Sequence, residues 1–376
     1  MSGGATVLMT ADAVGGVWHY ALGLCAAMPE FRFVLAVMGP PPNPAQVEAA
    51  ARLGNVVIKA KPYRLEWMQG ADEDMAASCA WLGMLARLHG AELLHVNGYA
   101  HAAIGAGLPV LVVTHSDVLS WWQAVHGDAA PAEWLPYRRA VAAGLAAADR
   151  LVAPTGAALA QLHRYFPLGR TPASVIPNGI DLASFAPREK RPVVMAAGRL
   201  WDRAKNMALL DEIAGGLAWP VEIAGETSHP ERGGTPTLPS PASGGGSGWG
   251  QCGARFLGPL SHDEMARRLG EAAIFAAPAL YEPFGLAVAE AAAAGCALAL
   301  TDIPSLRENW DGAALFAPPA DHAAWRSMLS CLIACDERRR ALAATAHRRA
   351  QRFSLQHSAR AYSALYRDLI GARAAA

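Results

Sequence analysis

Apolar and polar positions along the chain follow two alternating patterns. Short apolar, partly β-branched runs predict strands, and longer Ala- and Leu-rich stretches between them predict helices. In the first half, the predicted strands are residues 6–9, 33–38, 56–59, 93–96, 110–114, 150–153 and 174–176. Predicted helices fit between them, for example at 17–28 and 74–88. This order is typical of an α/β protein with a parallel sheet, whose ligands bind at the carboxyl ends of the strands.

The same alternation resumes after a charged, proline-flanked segment at residues 183–192, which predicts an interdomain linker. The strands predicted beyond it are residues 193–196, 221–224, 255–257, 274–276 and 297–300. Two series of similar size predict two Rossmann-like domains with parallel sheets that face each other across a cleft. We place these domains at residues 1–182 and 190–353.

Two segments depart from this alternation. Residues 228–250 are rich in Pro, Gly and Ser and cannot bury enough apolar surface to offset the entropy of ordering. They predict a flexible surface insertion in the second domain, with no chemistry assigned. The last predicted helix, residues 354–370, carries an apolar stripe that must pack against another element.

Composition narrows the class of protein. Of the 376 residues, 53% are hydrophobic and 17% are charged, which excludes intrinsic disorder as the main state. The 32 Lys and Arg residues balance the 32 Asp and Glu residues, which argues against a nucleic acid partner. The 6 cysteines are scattered without a CxxC pair, so the sequence predicts a reduced, cytoplasmic protein rather than a zinc ribbon or disulfide framework.

No targeting or membrane-spanning segment is predicted. The first residues contain no basic group ahead of an apolar stretch, as a signal peptide requires. The best candidate for a spanning helix, residues 285–300, is too short and contains Glu290, which would be costly at the centre of a bilayer.

The strongest chemical signal is the sequence Glu-Pro-Phe-Gly-Leu-Ala-Val-Ala-Glu, which begins at Glu282 and ends at Glu290. The proline favours the first turn of a helix, so Glu282 lies in the preceding loop and Glu290 just beyond that turn. Between them, we expect unpaired N–H groups around Phe284, Gly285 and Leu286 to form an anion site. Two acids on either side of an anion site suit a nucleotide diphosphate sugar. An ordinary solvated Glu290 is the weaker alternative, because its neighbours are almost all apolar.

Two cations follow the first predicted strand of the second half. Arg199 and Lys205 lie in the loop after residues 193–196, where they could neutralise the charge on a departing diphosphate. Taken alone, this loop fits a structural role equally well. Its register with the segment from Glu282 to Glu290 favours the binding role.

The first half offers a glycine pair and a histidine. Gly15 and Gly16 join the first strand to the first helix, where glycine lets the backbone approach a phosphate or sugar closely. The dinucleotide fingerprint GxGxxG is absent. His115 ends a buried strand. The glycine pair fits an ordinary tight turn equally well, and the histidine fits a core position.

In this order, the motifs resemble those of the retaining glycosyltransferases of family four. The motifs are Gly15-Gly16, His115, Pro177-Asn178-Gly179-Ile180-Asp181, Gly198-Arg199 with Lys205, and Glu282 with Glu290. The similarity covers nearly the whole chain apart from the insertion, and the Glu-x7-Glu segment is its most specific part. The resemblance implies the GT-B architecture of two Rossmann-like domains. It also implies an acceptor domain, a donor domain, and a terminal helix packed back on the acceptor domain.

The resemblance also implies roles for the charged residues. Arg199 and Lys205 match the pair that binds the donor diphosphate and stabilises the leaving group. Glu290 matches the acid that holds the ribose hydroxyls. Glu282 matches the acid that contacts the transferred sugar.

In the first domain, His115 matches the histidine near the reacting centre, and Gly16 matches a backbone contact to the donor phosphates. Three positions depart from the family pattern. Asn206 follows the lysine, where glycine is frequent, and Ala279 stands where serine is common. Asn97 replaces the second histidine of a frequent His-x-His, which bears on the handling of the acceptor.

We therefore predict a metal-independent, retaining hexosyltransferase of polysaccharide biosynthesis. It would move a sugar from a nucleotide diphosphate sugar to the hydroxyl of a glycan, a lipid-linked sugar or a small molecule. No side chain stands out as a covalent nucleophile, so a front-face mechanism is expected, and no cofactor is expected beside the co-substrate. The alternatives are a nucleotide-sugar epimerase of the same architecture and a noncatalytic nucleotide-sugar-binding protein.

For two further patterns, we favour a structural role over a functional one. The acidic run Asp72-Glu73-Asp74 opens a predicted helix, and we interpret it as helix capping and dipole complementation rather than a metal site. Aromatic and basic residues follow His115 and could form an acceptor wall or a patch on the inner face of a membrane, although helix packing is favoured. They are Trp121, Trp122, Trp134, Tyr137, Arg138 and Arg139.

Overall fold

The chain forms two compact units. A computed structural model describes residues 4–227 and 253–375. The first unit comprises Met1–Gly179 and Leu355–Ala376, and the second comprises Ile180–Ser354. The second unit is therefore continuous in sequence, whereas the first combines segments from both sides of it. The predicted insertion at residues 228–250 lies outside the described residues.

Short strands form the centre of each unit. In the first unit they are β1 (Thr6–Asp12), β2 (Arg32–Met38), β3 (Val56–Ala60), β4 (Leu93–Val96), β5 (Val110–Val113), β6 (Arg150–Ala153) and β7 (Ala173–Val175). In the second unit they are β8 (Arg191–Ala197), β9 (Val221–Ala224), β10 (Arg255–Gly258), β11 (Ala272–Ala277), β12 (Ala297–Thr301) and β13 (Ala314–Ala317).

Helices connect the strands. Those of the first unit are α1 (Gly16–Ala27), α2 (Pro44–Ala51), α3 (Ala71–His89), α4 (Val118–His126), α5 (Leu135–Ala147) and α6 (Gly156–Tyr165). Those of the second unit are α7 (Met207–Ala214), α8 (His262–Glu271), α9 (Leu286–Ala293), α10 (Pro304–Trp310), α11 (His322–Ala334) and α12 (Asp336–Ala350). The last helix, α13 (Leu355–Ala374), belongs to the first unit. No helix in the described part of the chain has the length and apolar character needed to cross a membrane.

Both sheets are parallel and contain a point at which the strand order reverses. The described strands of the first unit lie in the order β3-β2-β1-β4-β5-β6-β7, and those of the second in the order β10-β9-β8-β11-β12-β13. The reversals fall between β1 and β4 and between β8 and β11. Loops leave the two strands at such a point in opposite directions, which makes room for a ligand at the carboxyl edge of the sheet.

Two apolar cores cover the two faces of each sheet, because successive side chains of a strand point to opposite faces. In β1, Val7 and Met9 pack in the core that contains α1 and α13, whereas Leu8 packs in the core that contains α3 and α5. In β8, Val194 packs with α7 and α11, and Met195 packs with α9 and α12. Strands buried on both faces give continuous apolar runs, which is the pattern that predicts them in the sequence.

Every strand predicted from the sequence is present, with ends that shift by up to three residues. β13 is an addition that the sequence does not predict, because Ala-Leu-Phe-Ala contains no β-branched residue. The helix predicted at 74–88 begins earlier, at Ala71, after the left-handed Gly70.

The apolar stripe of α13 completes a core of the first unit. Tyr362 and Tyr366 are fully buried there, and the Tyr366 ring meets the Phe31 ring edge to face at 5.3 Å between centroids. The Tyr366 hydroxyl also lies 2.6 Å from Nδ1 of His95 on β4. The last helix is therefore tied to the first unit by both apolar packing and a buried hydrogen bond.

A close approach between α5 and the loop after β4 leads to a prediction about stability. A Cβ atom on Gly144 would lie 1.9 Å from the Tyr99 carbonyl oxygen, whereas Gly371 of α13 has no atom within 4 Å of its Cβ position. Gly144→Ala should destabilise the protein by about 1–3 kcal/mol through overpacking. Gly371→Ala should be neutral or stabilising by up to about 1 kcal/mol, because alanine favours helix. Urea unfolding of both variants checks this, and equal midpoints would contradict the close contact.

Candidate active site

The loop after β8 carries both predicted cations and holds one of them with its own acid. Arg199 donates from a terminal nitrogen to Asp202 Oδ2 at 2.7 Å, and its guanidinium lies 5.0 Å from the centre of the Trp201 ring. Asp202 is buried, and its other oxygen accepts from the Ala204 N–H at 3.0 Å. This acid therefore shapes the turn at Arg203–Lys205 and neutralises Arg199 at the same time.

Asn206 joins this loop to two other strand ends. Its Nδ2 donates to the Pro278 carbonyl, directly after β11, and to the Pro319 carbonyl, just after β13, at 3.1 Å each. Its backbone is left-handed, with φ of 52°, and it is the one non-glycine residue with positive φ within residues 4–227 and 253–375. Glycine adopts this conformation freely, and asparagine tolerates it better than most residues. Asparagine can therefore replace the glycine of the family pattern here, and it adds two hydrogen bonds.

Lys205 and Glu282 form an ion pair although they are far apart in sequence. Lys205 Nζ lies 2.6 Å from Glu282 Oε2, and the two side chains are only 20% and 19% exposed. Glu282 Oε1 accepts from the Gly285 N–H at 2.9 Å, and the backbone carbonyl of Glu282 accepts from the Ser305 hydroxyl. The loops after β8 and β11 thus bring together two of the predicted site residues.

The start of α9 differs in part from the prediction. The prediction of an unpaired N–H is wrong for Gly285, because that group donates to Glu282. Gly285 precedes the helix in a left-handed conformation, with φ of 88°. The Phe284 side chain is buried and packs edge to face on Phe353 at 5.3 Å, and Leu286 is half-buried against the same core. The backbone here forms a helix start next to Glu282, while the Phe284 side chain serves the core.

Glu290 lies on α9 as predicted, half-buried among apolar residues. Within the described residues its carboxyl group forms no ion pair or hydrogen bond, and so none with Lys205, Arg199 or Glu282. Burial raises the pKa of this carboxyl to about 8, because the charged form loses hydration without gaining a partner. At neutral pH the Glu290 side chain is therefore largely a neutral acid.

In the first unit, the predicted glycine pair starts α1. Gly15 has a φ of 86°, which only glycine adopts at little cost, and the helix begins at Gly16. Asp12, at the end of β1, accepts from the Val14 N–H at 2.9 Å and shapes the turn between them. Both glycines are exposed at the carboxyl edge of the sheet.

His115 lies at the carboxyl end of β5, half-buried. Its Nε2 is 2.9 Å from Asn97 Oδ1, and the same oxygen lies 3.0 Å from Nε2 of His95. Burial lowers the pKa of His115 to about 4 and that of His95 to about 3, so both rings are neutral at pH 7. Sequence reasoning placed His115 here but did not identify Asn97 as the residue that joins the two histidines.

The acidic run at Asp72–Asp74 and the aromatic residues after His115 make contacts that stabilise the fold. Glu73 pairs with Arg64 at 2.8 Å and Asp74 accepts from the Arg64 N–H, so the acidic run holds a loop at the start of α3. Trp122 stacks on His126 at 4.3 Å and donates to Asp128. In the described part of the chain, no three His, Cys, Asp or Glu residues are grouped as metal ligands.

Comparison with protein families gives two matches that together span most of the chain. Residues 14–184 match the family described as Glycosyltransferase Family 4. Residues 191–335 match the family described as Glycosyl transferases group 1. The first match ends and the second begins within residues 183–192, the segment that the sequence predicts as a linker.

Curated relatives include the D-inositol 3-phosphate glycosyltransferases of two bacteria. The protein from Nocardioides sp. is 30% identical over 249 residues, which is 59% of this chain and 54% of that protein. The protein from Kineococcus radiotolerans is 28% identical over 258 residues, which is 61% of this chain and 59% of that protein. The matched region thus spans little more than half the length of each relative.

Solved structures share the fold over nearly the whole chain. A sucrose-phosphate synthase from Thermosynechococcus elongatus superposes with a TM-score of 0.78 at 19% identity, and the match covers 98% of this chain and 100% of that one. HepE of Anabaena, solved in complex with UDP and glucose, superposes with a TM-score of 0.74 at 14% identity, covering 96% and 99%. These similarities confirm the predicted fold class, a GT-B fold built from two parallel-sheet α/β domains.

The left-handed backbone of Asn206 and its two side-chain bonds can be tested separately. Asn206→Gly should lose only the two bonds, at about 1–3 kcal/mol, whereas Asn206→Ala should also be strained by about 1–2 kcal/mol. Urea unfolding should therefore rank the wild type first, Gly second and Ala third. Glycine usually destabilises a chain relative to alanine, so an alanine variant at least as stable as the glycine variant would contradict this geometry.

The raised pKa of Glu290 predicts a pH dependence of stability. Folding favours its protonated form, so this contribution is complete below the usual pKa of 4.5 and is lost as pH rises through about 8. Glu290→Gln, which cannot ionise, should gain stability relative to the wild type across that range and no further above it. Thermal unfolding at several pH values measures the difference, with Glu337→Gln on the exposed surface of α12 as the control. If the melting temperatures of the wild type and Glu290→Gln changed in parallel with pH, the prediction would be wrong.

Proposed function

We propose that this chain, which belongs to the family-four glycosyltransferases, transfers a sugar from a nucleotide diphosphate sugar to an acceptor hydroxyl. It matches that family over residues 14–184 and a second glycosyltransferase family over residues 191–335. In this proposal the anomeric carbon keeps its configuration. Donor binding is assigned to the second unit and acceptor binding to the first. The acceptor is the hydroxyl of a glycan, a lipid-linked sugar or a small molecule.

The observation that carries the proposal is the ion pair of Lys205 and Glu282 beside the start of α9. An ammonium group has three donors, so Lys205 can bind phosphate oxygens while it stays bound to Glu282. Within the described residues, the one hydrogen bond of the Arg199 side chain goes to Asp202, which leaves most of its five donors available. Both cations follow one strand and lie next to acids that hold them in place.

These cations would serve the leaving group. As the bond between the anomeric carbon and the diphosphate breaks, negative charge builds on the diphosphate oxygens. Lys205 and Arg199 would stabilise that charge because they are already oriented and need little rearrangement in the transition state. In this proposal they take the role that a metal ion has in other glycosyltransferases.

Retention follows from a front-face transfer. The acceptor oxygen forms its bond to the anomeric carbon on the face from which the diphosphate departs. A diphosphate oxygen takes the proton of the acceptor hydroxyl, so no covalent intermediate with the protein is needed. Positive charge on the sugar ring during this step is balanced by the diphosphate that is leaving.

The two acids are assigned to the two ends of the donor. Glu282 already accepts from Lys205 and from the Gly285 N–H, and its remaining lone pairs can accept from hydroxyls of the transferred sugar. Glu290 is assigned to the ribose hydroxyls. As a neutral acid it can both donate and accept, which matches hydroxyl groups that do the same.

The named relatives suggest the first substrates to test. HepE was solved with UDP and glucose, which favours a UDP-hexose among candidate donors. The curated relatives are named for transfer to D-inositol 3-phosphate, which adds a phosphorylated cyclitol to the small-molecule acceptors. UDP-, GDP- and ADP-sugars form a suitable donor screen, because a ligand that binds only the native state raises the melting temperature.

Lys205→Ala tests the role of the ion pair. The variant should lower kcat by about 100- to 1,000-fold, because a preorganised donor to the developing charge is lost. It should also reduce the thermal shift with the donor. Lys61→Ala serves as the matched control, because among the described residues the exposed Lys61 ammonium group pairs only with Tyr63.

Product analysis separates this function from its rivals. Transfer to an added acceptor with retained configuration supports the proposal. An isomerised nucleotide sugar, formed from the donor alone, would instead indicate an epimerase. Binding of the donor without turnover on a panel of glycan, lipid-linked and cyclitol acceptors would indicate a noncatalytic binding protein.

A further inference from the structure

The side chain of Asn97 lies at the centre of a partly buried hydrogen-bond network in the first unit. Its Nδ2 donates to the Thr10 carbonyl at 2.8 Å, and its backbone N–H donates to the Thr10 hydroxyl at 2.9 Å. On the other side, its Oδ1 lies 3.0 Å from Nε2 of His95 and 2.9 Å from Nε2 of His115. Three strand ends, those of β1, β4 and β5, thus meet at one amide group.

Hydrogen-bonding rules fix the direction of every bond in this network. The Thr10 carbonyl can only accept, so the amide nitrogen of Asn97 must face it and the amide oxygen must face the histidines. That oxygen also can only accept. Both His95 and His115 must therefore carry their proton on Nε2.

The two Nδ1 atoms are then acceptors. Nδ1 of His95 accepts from the buried Tyr366 hydroxyl of α13, at 2.6 Å. Nδ1 of His115 has no donor among the residues that the structure describes, and its ring is half-buried at the carboxyl edge of the sheet. One histidine is thus fully bonded within the fold, and the other keeps one acceptor atom unused.

We propose that Asn97 is a positioning residue, which holds the proton of His115 on Nε2 so that Nδ1 accepts a hydrogen bond from a substrate hydroxyl. The last part of this inference rests on the proposed sugar transfer. A hydroxyl can donate to a neutral Nδ1, whereas a phosphate or carboxylate oxygen has only lone pairs to offer and would be repelled. Asn97 therefore selects polyhydroxylated groups over anionic groups at this atom.

The surroundings of His115 keep it neutral. Tyr20 of α1 meets the ring edge to face at 4.7 Å between centroids, and His95 of β4 is a further titratable neighbour. Tyr362 and Tyr366 of α13 lie one ring further away, and burial raises the pKa of both.

On the loop of His115 itself, Asp117 accepts from the Ser120 N–H at 2.8 Å and caps α4. Burial raises the pKa of Asp117, and it lowers the pKa of His115 to about 4. A carboxylate in place of the Asn97 amide would change this balance. Asn97→Asp should raise the pKa of His115 by about one to three units, because a neighbouring negative charge favours the imidazolium.

Nitrogen-detected NMR of the histidine rings tests the inference without any substrate. In the full wild-type chain at neutral pH, His115 should show a protonated Nε2 and an unprotonated Nδ1, with the signals assigned by their loss in His115→Gln. Asn97→Leu removes the shared acceptor and should shift His115 towards the other tautomer. Tyr366→Phe is the matched control, because it removes a bond at the far end of the network but leaves the Asn97 oxygen in place.

These NMR results test the role of Asn97 without any measurement of activity. A protonated Nδ1 on wild-type His115 would overturn the inference, and so would an Asn97→Leu variant whose His115 tautomer is unchanged. If Asn97→Leu does not fold, the wild-type spectrum and the pH titration of Asn97→Asp still give the answer. An unchanged His115 pKa in Asn97→Asp would also count against it.

The pH dependence of sugar transfer tests whether His115 contacts the substrate. With a working donor and acceptor, the acid limb of kcat/KM should move to higher pH in Asn97→Asp, since His115 becomes charged there and loses its acceptor. An acid limb at the wild-type position would overturn the assignment to substrate binding. If no sugar transfer is found but the tautomer is as stated, the proposed function fails and the role of Asn97 stands.

Discussion

The ion pair between Lys205 and Glu282 depends on strand order rather than on sequence proximity. β8 and β11 are neighbours in the sheet although β9 and β10 lie between them in the chain, so their loops leave the same edge side by side. Partial burial makes each charge costly without the other, and the removal of one partner would leave an uncompensated charge. The remaining features of the site arrange groups around this pair: Asn206 ties the strand ends, and Asp202 balances Arg199.

Both sheets contain a reversal of strand order, but the side chains at the two reversals differ in charge. In the second unit, the reversal of strand order places charged groups that suit an anion. In the first unit, the equivalent reversal at β1 and β4 places neutral groups, because burial keeps His95 and His115 uncharged and Asn97 accepts a hydrogen bond from Nε2 of each ring. A chain with no net charge can therefore contain one cluster of charged side chains and one network of neutral polar groups.

Much of this arrangement could be predicted from the sequence. Apolar runs predict every described strand except β13, and the Glu-x7-Glu segment places Glu282 in a loop and Glu290 on a helix. The partner of Glu282 was not predictable in detail, because Lys205 is 77 residues away and only the strand order brings it near. Asn97 and Asn206 were visible only as departures from a family pattern. Both side chains act through hydrogen bonds to backbone carbonyl groups or to histidine rings that are distant in sequence, and no local sequence pattern predicts such bonds.

The position of α13 bears on how the protein is made. A ribosome releases the second unit in full before α13 emerges, so the second unit can fold while the first still lacks its final helix. Until then, Tyr20 and Phe31 lack the tyrosine rings of α13 that cover them in the finished core. During synthesis, the first unit is therefore incomplete until α13 emerges, and the apolar surface that α13 later covers is accessible to chaperones.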